Sequence, residues 1–328
     1  MSLETIKVGI MGCASIAERM VIPAILQTEG LELRAIASRD GEKARRFTEK
    51  FGGEPLSSYE ALVARTDIDL VYMPLPTGLH LEWAVPLLES GKHVLLEKSL
   101  AVNLSEAIAI VDAAKNSGRL VRENFMFAHH RQMHWIREQL QSGRLGAVRC
   151  VRASFGFPPF PDANNIRYQP ALGGGALLDA GAYTLKVATE LFGHEVKLLH
   201  AQLNVDARMG VDLHGGLFLS GPDGIVIETA FGFDHFYQCS LEIWGTKGRL
   251  VAERIFTAGP GVQPKIRMEE AGQQEVIEIE ADNHFRNLLS DLVQTIRNGH
   301  FEPDYQAIVR QATLLEESRR LAHIHTLS

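Results

Sequence analysis

The sequence predicts an α/β chain: a Rossmann-type doubly wound parallel sheet followed by an α+β domain with a large, mostly antiparallel sheet. Three observations predict it. Ile6 to Met11 is an apolar, β-branched run that meets Gly12-Cys13-Ala14-Ser15-Ile16-Ala17 and then a helical pattern, which reads as strand, tight turn and helix. Strand and helix patterns go on alternating as far as Phe125, and such alternation makes a doubly wound sheet. From Glu123 onward the pattern changes to strand-like runs with few helices between them, as in an antiparallel or mixed sheet.

With 328 residues the chain can bury two cores. The expected division is a dinucleotide-binding domain over 1–122 and a substrate-binding and oligomerisation domain over 123–328. A net charge of −7 argues against nucleic acid or an anionic membrane as the main partner. Cys13, Cys150 and Cys239 show no CxxC pairing and are too few for a disulfide framework, so zinc is not expected and a reducing cytoplasm is. No apolar run reaches bilayer-spanning length, and acidic Glu4 stands where a signal peptide needs a basic start.

Taken in order, the first turn has the spacing of a dinucleotide fingerprint. Gly12 makes the turn, Ala14 lies where the backbone approaches a pyrophosphate, and Ala17 lies where helix and strand pack closely. Only Gly12 of the three keeps glycine. Glu32 to Ser38 is the second strand, and its end sets cofactor preference: Ser38-Arg39 stand where a ribose-binding acid would be. Arg39 can fork onto a 2′-phosphate, so NADP(H) is preferred, with NAD(H) possible because Asp40 could serve a ribose. The bland alternative for Arg39 is a solvated loop residue. Gly41 to Phe51 is the next helix, Ser57-Ser58-Tyr59-Glu60 fits a capping box, and Asp69 to Met73 is a buried strand ending at the rigid Pro74-Leu75-Pro76-Thr77 turn. His80 to Ser90 is helical and stops at Gly91. His93 to Leu96 is then a buried strand that delivers Glu97 and Lys98 at the ligand edge of the sheet. Asn103 or Ser105 caps a helix to about Ser117, and Leu120 to Phe125 is the sixth strand.

Several motifs now stand together: Gly12-Cys13-Ala14-Ser15-Ile16-Ala17, Pro74 to His80, Gly91-Lys92-His93-Val94 with Glu97-Lys98, and Gly173-Gly174-Gly175-Ala176-Leu177-Leu178-Asp179-Ala180-Gly181-Ala182-Tyr183. In order and spacing they resemble the Gfo/Idh/MocA oxidoreductases. The usual Glu-Lys-Pro of that family is Glu97-Lys98-Ser99 here. Glu123-Asn124-Phe125-Met126-Phe127, Asn165-Ile166-Arg167-Tyr168 and Phe231-Gly232-Phe233-Asp234-His235 look most like its nucleotide-sugar 3-ketoreductases, while the Gly173 to Tyr183 block is also similar to dihydrodiol and aldose dehydrogenases. The resemblance implies a dinucleotide held by Gly12, Ala14, Ser15, Ile16, Ser38, Arg39, Pro74, Pro76, Thr77, His80, Glu97 and Lys98. It also implies an open sheet face that packs on a second copy, in a homodimer or homotetramer.

In the second half a helix is expected near Met133 to Ser142, with strands at Ala147 to Phe155, Leu213 to Leu219, Gly224 to Phe231 and Gln238 to Trp244, and helices at Asn283 to Asn298 and Tyr305 to His323. The chemistry is expected on the Gly173 to Tyr183 block. A helix there puts Asp179 and Tyr183 one turn apart. Hydride transfer to a ketone leaves an alkoxide that needs a proton and a nearby positive charge, and Lys98 with Tyr183 meets both needs. Which of the two donates the proton is open at this point, and Asp179 could orient Lys98 or a sugar hydroxyl. The resemblance gives Lys98, Asp179 and Tyr183 the same roles. For substrate, Asn124, Phe127, Arg167, Tyr168 and Asp179 are the candidates, with Arg131, Arg152 and Arg167 suited to a diphosphate and Phe125, Phe127 and Tyr168 to stacking. His130 and His134 have helical spacing but no third ligand for a metal. The expected activity is NADP(H)-dependent reduction of a nucleotide-linked ketosugar. The alternatives are a dehydrogenase of a free aldose, polyol or trans-dihydrodiol, and a dinucleotide-sensing regulator without catalysis.

Overall fold

Six short strands build the parallel sheet. In the computed structural model, which describes residues 5–327 and so leaves Glu4 outside, they are β1 (Ile6–Met11), β2 (Leu31–Ala37), β3 (Glu54–Leu56), β4 (Leu70–Met73), β5 (His93–Leu96) and β6 (Val121–Glu123). Their order is β3-β2-β1-β4-β5-β6. The direction of winding reverses between β1 and β4, and open sheets bind ligands at that switch point, beyond the carboxyl ends of the strands. Every residue of β4 and β5 is buried, as parallel strands covered on both faces require.

The helices are α1 (Ile22–Gln27), α2 (Gly41–Phe51), α3 (Tyr59–Val63), α4 (His80–Glu89) and α5 (Leu104–Ser117). Asp40, Ser58 and Asn103 cap α2, α3 and α5 with side-chain oxygens that accept backbone N–H groups. Ser58 rather than Ser57 caps α3 by accepting from the Ala61 amide, and because Ala61 stands where a capping box needs an acid, the Ser57-to-Glu60 box does not form. The turn before α1 is a widened, π-helical one over Ala17–Val21.

The second sheet has nine strands: β7 (Val148–Gly156), β8 (Lys197–Asp206), β9 (Asp212–Ser220), β10 (Val226–Gly232), β11 (Gln238–Gly245), β12 (Gly248–Glu253), β13 (Lys265–Glu270), β14 (Gln273–Glu278) and β15 (Ala322–Leu327). They run in the order β14-β13-β12-β11-β7-β10-β9-β8-β15, antiparallel except at β7–β10 and β8–β15. Helix α6 (Arg131–Gln141) precedes this sheet, and α7 (Ala182–Phe192) supplies Ala182, Leu185, Val187 and Ala188 to the same core as Val151, Ile227, Phe231 and Ile243. The other face carries cross-strand ion pairs, among them Arg152 with Glu228 at 2.7 Å, Arg249 with Glu242 at 2.6 Å and Lys265 with Glu278 at 2.9 Å. Helices α8 (His284–Asn298) and α9 (Glu302–Leu321) follow. The last helix stops two residues before the expected His323, because Ala322–Leu327 pair in parallel with β8.

The chain divides into two compact units, one reaching to Asn124 and including Phe285–Ala312, the other holding Phe125–His284 and the chain from Thr313. A single cut at 122/123 therefore misplaces residues 285–312. Arg122 accounts for it: its buried guanidinium bonds Asp304 and Asp291, each at 2.6 Å, and Thr295 at 2.9 Å. Tyr305 donates to the Arg119 carbonyl at 2.6 Å, and Tyr305 and Ile308 join the apolar core of the first unit.

Candidate functional site

At the first turn, Gly12 adopts φ +116°, and a Cβ there would stand 2.8 Å from Leu75. That conformation belongs to glycine. The helix begins at Ser15, with the Ala14 carbonyl accepting from the Glu18 amide at 3.1 Å, and since Ala14 has no side-chain acceptor to cap it, the backbone around Ala14, Ser15 and Ile16 presents a helix start of the kind that binds a pyrophosphate.

The end of β2 bears on which dinucleotide fits. Asp40 is committed: its carboxylate accepts from the Glu42 and Lys43 amides at 3.0 and 3.3 Å, which caps α2. Ser38 is buried, with its hydroxyl accepting from the Asp40 amide. Arg39 is exposed and acts on the Tyr59 phenol, lowering a pKa that burial raises more strongly. Burial likewise raises the Cys13 thiol, against a hydrogen bond with Ser38 and the positive charges of Lys43 and Arg46. Arg39, Lys43 and Arg46 thus put three cations around the end of β2, and a 2′-phosphate suits them better than a ribose diol does. Sequence reasoning missed Lys43 and Arg46; their three-residue spacing on a helix directly after Arg39 was the available signal.

Pro74 is buried, and Pro76 leads into a short helical turn over Thr77–Leu79. His80 departs from expectation. Its ring is fully buried, with Nδ1 2.9 Å from the Leu100 carbonyl and Nε2 2.9 Å from the Leu75 carbonyl, so it ties two loops together and turns no nitrogen to a ligand. Burial holds it below the usual imidazole range. Lys98 is half-buried just past β5, and its peptide bond to Ser99 is cis. Beside it, Glu97 Oε1 accepts from Tyr72 Oη and from Asn124 Nδ2, both at 2.7 Å. Burial raises the Glu97 carboxyl, and these two donors with Lys98 pull it back down. Asn124, expected on substrate, is buried; its Nδ2 donates to Glu97, while its Oδ1 meets no hydrogen-bond donor among the described residues.

The second unit holds the other candidates. Asp179 lies in a second π-helical turn, Leu177–Gly181, and forms an ion pair with Arg167 Nε. The Asp179 carboxylate, with smaller contributions from Tyr183 and Tyr168, raises the Arg167 pKa against burial. Arg167 also stacks over Phe160, 4.6 Å from the ring centre. Tyr168 is buried and its hydroxyl accepts from the Phe160 amide at 2.9 Å, which fixes the loop that carries Arg167. Tyr183 sits among Phe125, Phe127, Phe155 and Phe256, ring centres 5.2 to 5.8 Å away, with its hydroxyl 3.8 Å from Met126 Sδ. Phe127 is fully buried in that cluster, so it packs Tyr183 and does not stack on a substrate.

Of the three arginines considered for a diphosphate, only Arg167 stands with Asp179. Arg131 pairs with Glu280, and Arg152 pairs with Glu228 on the strand face. His130 caps α6 and packs its ring against His284, while His134 is exposed. Among the described residues no cluster of His, Cys, Asp and Glu is arranged to hold a metal ion, and no helix is long and apolar enough to cross a membrane.

Comparison with known proteins agrees with this architecture. Residues 6–125 match the model of an oxidoreductase family with an NAD-binding Rossmann fold, and residues 133–251 match a GFO/IDH/MocA C-terminal domain. The chain is 38% identical over 320 residues to a dTDP-3,4-didehydro-2,6-dideoxy-alpha-D-glucose 3-reductase from Saccharopolyspora spinosa, covering 95% of this chain and 96% of the relative. It superposes with TM-score 0.95 at 37% identity on a crystal structure of a 3-ketoreductase from Actinomadura kijaniata in complex with NADP and TDP-benzene, covering 99% of this chain and all of the other. A D-xylose 1-dehydrogenase (NADP(+)) from Haloferax volcanii is 30% identical over 292 residues, 89% of each chain. A dinucleotide turn on a six-stranded parallel sheet, a lysine at the end of its fifth strand, a glycine-led Asp-Tyr helix on a nine-stranded sheet and these matches lead to one conclusion: the chain belongs to the Gfo/Idh/MocA family of oxidoreductases.

Proposed function

We propose that the protein uses NADPH to reduce the keto group of a sugar carried on a nucleotide. The observation that carries this reading is the likeness, over nearly the whole of both chains, to a 3-reductase of a dTDP-linked ketosugar. The cations around the end of β2 support NADPH over NADH. NADPH supplies the hydride when bound. The carbonyl carbon gains a C–H bond and its oxygen gains the electron pair, so that oxygen needs a cation and then a proton. Lys98 supplies the positive charge, and Tyr183 gives the proton from its hydroxyl and regains one from solvent. Asp179 accepts from a sugar hydroxyl and anchors Arg167, whose guanidinium reaches for the diphosphate. The same A. kijaniata enzyme has also been crystallised as a tyrosine-to-phenylalanine and a lysine-to-alanine variant, which supports assigning weight to one residue of each kind.

The test is nicotinamide absorbance in both directions, with NADPH and nucleotide-linked ketosugars made in situ, and with NADP⁺ and free aldoses, polyols and dihydrodiols. Consumption of NADPH with the nucleotide-linked ketosugar alone is the expected result. The D-xylose dehydrogenase relative favours a second reading, oxidation of a free aldose, and efficient turnover of one would replace the first. The ion-paired sheet face, with Trp244 half exposed on it, supports a homodimer or homotetramer, which sedimentation measures. Three free cysteines suit a reducing cytoplasm.

A further inference from the structure

We propose that Asp212 is a positioning residue for Asp179 and Tyr183: from the start of β9 it holds the first turn of the helix that carries both. The proposal rests on the roles just given to those two residues. A helix start leaves backbone N–H groups without intrahelical partners, and here no side chain nearby in sequence caps the turn that begins after Ala176. Asp212, distant by 35 residues, does so instead: its Oδ2 accepts from the Leu177 amide at 2.6 Å.

Gly175 is the second observation. It has φ +112°, and a Cβ there would lie 2.3 Å from Asp212 Oδ1. The third glycine of the block is therefore matched to this carboxylate as well as to its own backbone conformation. Asp212 is itself aimed by the turn before it. Asp206 Oδ1 accepts from the Arg208 and Met209 amides, both at 2.8 Å, and the pairing of β8 with β9 shifts register at Asn204/Val205, where Val205 faces Asp212. Such irregularities re-aim side chains beside functional sites. Burial raises the Asp212 carboxyl, while the Leu177 and Ala176 amides and Arg319 favour its charged form. The anchored helix then packs tightly on the sheet, since a Cβ on Gly181 would lie 3.1 Å from the Phe231 ring. Tyr183 and Asp179 thus inherit their position from β9.

The experiment compares Asp212→Ala and Asp212→Asn in the full chain by hydrogen exchange and by kinetics. In D212A, peptides covering residues 173–184 should exchange about tenfold faster, the loss expected for a bond to a charged acceptor. The kcat with the nucleotide-linked ketosugar should fall by up to about a hundredfold, as small misplacements of reacting groups do, with the NADPH dissociation constant unchanged. D212N keeps an acceptor oxygen and should recover most of both. Adding D212A to Tyr183→Phe should cost little more than Tyr183→Phe alone. A folded D212A with wild-type exchange at 173–184, equal damage from Ala and Asn, or fully additive losses with Tyr183→Phe would each overturn the proposal. If D212A is insoluble, Gly175→Ala pushes on the same carboxylate from the other side; faster exchange at 173–184 supports the role and unchanged exchange refutes it. A wild-type protein inactive on the ketosugar would sink the functional reading alone, because the exchange measurement needs no substrate.

Discussion

The turn after β1 and the turn after Gly175 are built alike and end differently. Each has a glycine at positive φ, +116° at Gly12 and +112° at Gly175, and each runs through a π-helical turn into an α-helix. At the first, Ala14 offers no cap and among the described residues no side chain bonds the helix start; at the second, Asp212 does. One local geometry therefore serves two purposes. Left open, a helix start is a receptor for an external phosphate; closed by an internal carboxylate, it becomes a rigid mount for side chains further along.

Perturbing the two ends separately is the way to break this comparison, and the largest effect is expected at the proposed reacting side chains, Tyr183 on the mounted helix and Lys98 just past β5. Lys98→Ala and Tyr183→Phe should each lower turnover by about 10²–10⁴-fold, the range for a lost proton donor or its electrostatic partner. Their NADPH dissociation constants should change far less, and stopped-flow fluorescence separates the two quantities. A double variant with normal turnover would dismiss both assignments. At the open end the expected loss is in binding. Gly12→Ala adds backbone strain and a clash with Leu75, and should weaken NADPH by about tenfold or more. Arg39→Ala should weaken NADPH by a similar factor of about ten and leave NADH alone. Equal titration midpoints for the two dinucleotides in the parent protein would contradict the preference itself.

The smallest contrast is in acid sensitivity. Each unit keeps a buried neutral histidine: burial, then the Arg119 charge, lowers His93 to about 4, and burial, then the neighbouring His130, lowers His284 to about 3. The unfolded chain takes up these protons below about pH 6.5 and the folded chain does not. Stability is therefore fully present above that pH and is lost as pH falls towards about 4 for the first and about 3 for the second, by at most about 1.4 kcal/mol per pH unit for each histidine. Urea midpoints measured from pH 7 to pH 4.5 should decline, and His93→Asn should flatten part of the slope; a midpoint independent of pH would exclude the effect.

What the sequence disclosed follows from how local each signal is. The Gly12 turn, the β5 strand ending at Lys98 and the Asp179-Tyr183 spacing are runs of adjacent residues, and they can be read without the fold. Asp212 cannot, because nothing near it in the chain says that a helix 35 residues earlier needs an acceptor. Burial is equally hard to read locally: His80, Asn124 and Phe127 are of types that suit a ligand, yet in the fold His80 spends both nitrogens on the Leu75 and Leu100 carbonyls, Phe127 packs on Tyr183, and Asn124 gives its Nδ2 to Glu97. Strand β14, Gln273–Glu278, escaped notice because glutamates and glutamines dominate it, and pairing with β13 rather than hydrophobic alternation makes it a strand; β13, Lys265–Glu270, does alternate, with Ile266 and Met268 buried, but over too few residues to stand out.

The Arg122 clamp has a practical corollary for anyone dissecting the molecule. A gene fragment ending at residue 122 would encode five strands of the parallel sheet and all but the last residue of the sixth, yet omit Asp291, Thr295 and Asp304, stranding a guanidinium that the folded unit keeps out of water. It would also lose Tyr305 and Ile308 from the apolar core. The nucleotide half is thus discontinuous in the gene, and a version that stands alone has to splice residues 285–312 back on to it.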